Sequence, residues 1–193
     1  GFVNKSGWEI SLAITEMLKH TTPWECHFLL HDLGFSIAQG GRLEDAKKCG
    51  DGYGCTYGCQ HGFAIGYLTR TRGVLNKEEF AAYNESLNNM VELNLYHGFG
   101  HAFLGIFNND STALEKCKLL YSYTNDIRTL NLCIAGLSHE KFFIVPDVNF
   151  ANFSSDFKTC SDFGEHDYIC KVTASFGYSL EKLWYGDASM EPP

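Results

Sequence analysis

Five of the eight histidines in this 193-residue chain fall in three short segments: Cys26-His27-Phe28-Leu29-Leu30-His31, Cys59-Gln60-His61-Gly62 and Tyr96-His97-Gly98-Phe99-Gly100-His101. Two of these segments carry a His pair four residues apart, a spacing that sets both imidazoles on one helix face, one turn from each other. Each ring sits among apolar or small residues, where an unpartnered imidazole is costly. Neutral imidazoles are good ligands for Zn²⁺, Cu²⁺, Ni²⁺ or Fe²⁺. The expectation is a His-lined transition-metal site (Zn, Cu or Fe) with His27, His31, His61, His97 and His101 as ligands. Four ligands would make it a closed structural site, and three with an open position would permit chemistry. The competing reading keeps these rings in helix interfaces, bonded to carbonyls or to some of the ten tyrosines. His20, His139 and His166 lack the same context and read as surface or capping residues. Asp32, next to His31, is either an orienting partner or a solvated helix residue.

Other catalytic patterns are missing from the sequence. There is no Glu-x-x-His motif of a di-iron bundle, and Phe28 stands where a His-Glu-x-x-His peptidase needs its glutamate. There is no Gly-x-Ser-x-Gly elbow, phosphate-binding Gly-x-x-x-x-Gly-Lys loop or Cys-x-x-Cys-His haem attachment. Cys26 and His27 adjoin in sequence and therefore point to different helix faces. In the loop Gly50–Gly58, Asp51 is the only acid, which is too few for calcium. The residues thus name no reaction, and a metal-dependent hydrolase or oxidase would have no identifiable substrate.

The segments that must position the histidines read as helices. Ser6-Gly7-Trp8-Glu9 opens one running to Lys19, and Thr22-Pro23-Trp24-Glu25 opens another that stops at Gly40-Gly41. Short helical patterns follow over 42–48, 59–69, 77–89 (capped by Asn76), 93–107, 112–121, 125–142 and 166–183. A loop through Pro146 covers 147–154. Beta-branched alternation is almost absent, so no strand is expected. The His27/His31 stripe continues to Gly34 and Ala38, His97/His101 continues to Gly105, and His61 precedes Gly62 and Gly66. Small residues at that spacing let helix backbones approach closely. The fold class is therefore all-α, one helical domain over 1–186 with a frayed tail at 187–193.

Cys59, Tyr96, Cys133 and Cys170 are spaced by 37 residues each time, and another cysteine (Cys49, Cys117, Cys160) precedes three of them. That pattern suggests stacked helical hairpins. On that reading the natural staples are Cys117–Cys133 and Cys160–Cys170, then Cys49–Cys59 by analogy, which leaves Cys26–Cys55. No Cys-x-x-Cys pair favours a zinc ribbon.

Four Asn-x-Ser/Thr sequons, at Asn4, Asn84, Asn109 and Asn152, exceed the ~1.5 that chance would supply. With eight cysteines they favour an extracellular, disulfide-bonded glycoprotein. No secretory signal is visible at Gly1-Phe2-Val3, so a processed mature terminus is expected. A formal net charge of -8 argues against nucleic acid as the main partner, and no apolar run reaches membrane-spanning length.

The Cys-His-x-x-x-His and Tyr-His-Gly-x-Gly-His segments resemble ones in secreted helical proteins of no assigned function, across roughly residues 26–140. The resemblance brings no catalytic residue with it. Two functions from different classes follow from the sequence. One is a secreted, disulfide-stapled glycoprotein with a His-lined transition-metal site. The alternative is a structural or protein-interaction subunit of an extracellular assembly with no metal, using an aromatic surface such as Phe142, Phe143, Phe150, Phe153 and Phe157 or self-association.

Overall fold

The computed structural model describes residues 15–16, 19–49, 57–87, 93–141 and 160–174. Every regular element among them is helical. Helix α1 (Pro23–Ala38) begins with the capping box read from sequence: the Glu25 amide donates to Thr22 Oγ1, and Glu25 Oε2 accepts from the Thr22 amide at 2.9 Å. The 3-10 helix α2 (Leu43–Cys49) follows, then α3 (Gly58–Thr71) and α4 (Lys77–Glu85), whose first turn is capped by Asn76. Helices α5 (Asn94–Phe107), α6 (Asp110–Thr124) and α7 (Ile127–His139) come next. The 3-10 helix α8 (Cys160–His166) bends at Gly164, where φ is 57°, and leads into a helical segment over 167–174.

Several boundaries differ from the sequence reading, each for a local reason. Helix α6 starts at Asp110 because the Asn109 side chain accepts the Thr112 amide at 2.8 Å and supplies the cap. Asn125 closes that same helix in the left-handed conformation, so α7 starts only after Asp126, which accepts the Arg128 amide. Helix α4 stops at Glu85 rather than Asn89: Ser86 ends it, its hydroxyl donating to the Tyr83 carbonyl at 2.7 Å. Of the helix expected over 6–19, residues 15–16 are helical and Lys19 stands in a turn; residues 6–14 and 17–18, the loop at 50–56, the aromatic residues Phe142 to Phe157 and the tail 187–193 lie outside the described residues.

The helices form two layers. Helices α1, α3, α5 and α7 pack on one another in that order, as do α2, α4, α6 and α8, with α2 against α1 and α3 and with α6 against α5 and α7. The core fills the space between the rows. Phe80 of α4 meets Tyr67 of α3 and both Tyr96 and Phe99 of α5 with ring centroids 5.1–6.3 Å apart. All four rings are buried, and burial of rings this large is the main stabilising term of such a core. Arg70 near the end of α3 donates to the carbonyls of Ala38 and Gly41, satisfying acceptors left over where α1 stops.

Disulfides tie the layers together. Cys49 on α2 is bonded to Cys59 on α3, and Cys117 on α6 to Cys133 on α7, with Cα atoms 5.5 and 5.6 Å apart. Cys160 is bonded to Cys170. These are the pairs that the 37-residue spacing proposes. Cys26 is also disulfide-bonded; Cys55, which that spacing leaves for it, lies outside the described residues. Bridges closing loops this short each stabilise by about 3 kcal/mol.

Candidate metal centre

Backbone contact between helices of the first row sets the site. A Cβ built on Gly62 would lie 1.9 Å from the His31 carbonyl oxygen, and one on Gly34 would lie 1.9 Å from that of Cys59. Helices α1 and α3 therefore touch main chain to main chain. Helices α5 and α7 repeat the arrangement: a Cβ added to Gly136 would lie 1.9 Å from the His97 carbonyl oxygen, and one on Gly100 would lie 2.0 Å from that of Cys133. Gly34 and Gly100 are 66 residues apart, as are His31 and His97; Gly62 and Gly136 are 74 apart, as are Cys59 and Cys133, which is twice the 37-residue period. The two helix pairs are thus built on one plan, with a histidine carbonyl seated on a glycine and a cystine carbonyl seated on another.

This close approach brings the histidines into one row. On α1, His27 and His31 face each other with their Nε2 atoms 3.0 Å apart. His61 of α3 lies next, with ring centroids 5.5 and 5.6 Å from those of His27 and His31. On its other side lie His97 and His101 of α5, at 5.1 and 4.9 Å. Two triads, His27–His31–His61 and His61–His97–His101, each offer nitrogens within 4.8 Å of one another, and His61 belongs to both. All five residues expected from the sequence therefore converge.

His139, read from sequence as a surface or capping residue, belongs to the same row. Its Nδ1 lies 3.4 Å from His97 Nε2, and its ring centroid 4.9 Å from that of His101. The reason is register: His139 stands one turn after Gly136, and Gly136 is pressed against His97. The glycine was the available signal, since a small residue three positions before a histidine marks the face on which both lie. A carboxylate was missed as well. Glu140 Oε2 is 2.9 Å from His101 Nδ1. His20 and His166 stand apart from the row, beside Glu16 and Glu165, and Asp32 is exposed.

Electrostatics keep these rings neutral. Burial first, then neighbouring imidazoles, hold His61 and His101 well below the usual histidine range. The same causes put His97 at about 3, His31 at about 4 and His139 at about 4. Burial pushes Glu140 up to about 7. The short His101–Glu140 contact has ion-pair geometry, yet an imidazolium this deeply buried is disfavoured. With Glu140 ionised, a neutral His101 donates its Nδ1–H to the carboxylate. That tautomer leaves the Nε2 lone pair of His101 facing the row. His101 Nε2 and His61 Nε2 are both buried with no hydrogen-bond partner among the described residues. Each such orphan costs about 1–3 kcal/mol unless something binds it. A carboxylate behind an imidazole with a bare nitrogen in front is the usual support of a metal-bound histidine.

Comparison with protein families, with curated proteins and with solved structures finds no match to this chain.

Proposed function

We propose that the protein is a secreted, disulfide-stapled helical glycoprotein that binds a transition-metal ion through the histidine row. One observation carries this reading: His61 and His101, each 5 % exposed, present unpartnered Nε2 atoms toward neighbouring imidazoles held neutral by burial. Neutral, clustered nitrogen donors suit Zn²⁺, Cu²⁺ or Fe²⁺. The disulfides fit an oxidising compartment, and no helix among the described residues is long and apolar enough to cross a membrane. Asn109 is exposed and caps α6 through Oδ1; a glycan attaches at Nδ2 and leaves that cap in place. Asn84 is half-buried and its side chain is engaged with Asp126, which makes it the poorer acceptor. Asn4 and Asn152 lie outside the described residues.

Elemental analysis of the oxidised, full-length protein, before and after equilibrium dialysis against Zn²⁺ or Cu²⁺, tests the reading. Bound metal is the expected result. His61→Ala, which removes the ring common to both triads, lowers metal content at a fixed sub-saturating free-ion concentration. His20→Ala and His166→Ala leave uptake unchanged. A protein that takes up no ion at saturation overturns the proposal.

A second reading rests on Phe28, Leu29 and Phe35, which are exposed on α1. On it the protein serves as an interaction subunit whose apolar α1 residues meet a partner. Sedimentation across a dilution series separates the two: a concentration-dependent mass with no bound metal favours assembly.

A further inference from the structure

The six imidazoles extend across four helices, further than one coordination sphere reaches. Zinc–nitrogen bonds of about 2.0–2.1 Å place the ligands of a tetrahedral ion about 3.3 Å from one another. Two pairs in the row already span such an edge. One is His27 with His31, Nε2 to Nε2 at 3.0 Å; the other is His97 with His139, Nε2 to Nδ1 at 3.4 Å. These pairs lie on opposite sides of His61 and share no helix. His61 extends the first pair to a triad. His101 adjoins the second, its ring centroid 4.8 Å from that of His97 and 4.9 Å from that of His139, its nitrogen within 4.8 Å of one on His97, and Glu140 against its Nδ1.

Resting on the metal-binding reading above, we propose that the row holds two ions, one on His27, His31 and His61 and a second on His97, His101 and His139. The first position lies at α1 and the second against α7, and each includes one buried and two half-buried histidines. Three nitrogens at each leave a further coordination place for water or a small anion. His61 lies between the two, close enough to both triads that loading one position alters the other.

Titration of the chelator-stripped, oxidised protein with Co²⁺, followed through its visible absorption bands, reads this directly, and Zn²⁺ content after dialysis gives the stoichiometry independently. Two equivalents per chain are expected in the unsubstituted protein. The double substitution His27→Ala/His31→Ala removes one and spares the other. His139→Ala weakens the second by at least tenfold and spares the first, with helical circular dichroism retained in both. Saturation at one equivalent overturns the two-ion proposal while leaving metal binding intact. So does loss of the same equivalent in both variants. No uptake at all overturns both.

Discussion

Gly62→Ala is expected to destabilise the protein by about 3–5 kcal/mol and to remove the metal uptake that depends on His27, His31 and His61, although alanine is the better helix former. The added Cβ would fall 1.9 Å from the His31 carbonyl oxygen and 2.6 Å from that residue's C and Cα, all main-chain atoms with no rotamer to escape into. Helices α1 and α3 must then move apart, and His27 and His31 leave the reach of His61. Gly105→Ala is the matched control. It lies in α5, but a Cβ there meets nothing within 4 Å. Relief of glycine's backbone entropy should raise stability by about 0.5–1 kcal/mol. Chemical unfolding of the two variants measures both signs. A neutral Gly62→Ala would show that the helices are not locked backbone to backbone.

Acidification is the second large effect. An unfolded histidine titrates near 6.5, whereas His31 and His139 in the fold titrate at about 4 and His97 at about 3, with His61 and His101 also well below their ordinary value. Between those limits the unfolded chain binds protons that the folded chain refuses. Stability from these groups is therefore complete above pH ~6.5 and is lost as pH falls toward 4. Glu140 works in the opposite sense, since its raised value of about 7 means the fold takes up that proton more readily than the unfolded chain does. One carboxyl does not offset five imidazoles. The chelator-treated protein should lose several kcal/mol between pH 7 and pH 4.5, seen as a steep fall in Tm. Saturating Zn²⁺ should shift the onset of that fall to lower pH, because bound metal and protons compete for the same nitrogens. A Tm flat across this range would show that the rings are solvated rather than buried.

Much of this arrangement was legible in the sequence because it was encoded locally. Thr22 with Glu25, and Asn76 with Glu79, announce helix starts through side chains that reach only three residues. The four-residue spacing of His27 and His31, and of His97 and His101, fixes a shared face without knowledge of the fold. The cysteine spacing carried the hairpin pairing. His139 and Glu140 escaped because their role is not local. A histidine in the last turn of a helix ordinarily serves the exposed carbonyls there, and only the packing of Gly136 on His97 turns it inward. Nor could sequence show that α1 and α3 are joined in the same way as α5 and α7, since the equivalence lies in which carbonyl rests on which glycine.

The cystine bridges and the glycine seats have a consequence for any cation that arrives. Braced on both sides, the helices can neither draw in around a small ion nor yield to a large one. On the metal-binding reading proposed above, much of the entropic cost of assembling the ligands would be met during folding, so chelators should strip the metal without unfolding the chain. Discrimination among ions would then fall to the fixed separation of nitrogen atoms, and the protein would act as a gauge rather than a clasp.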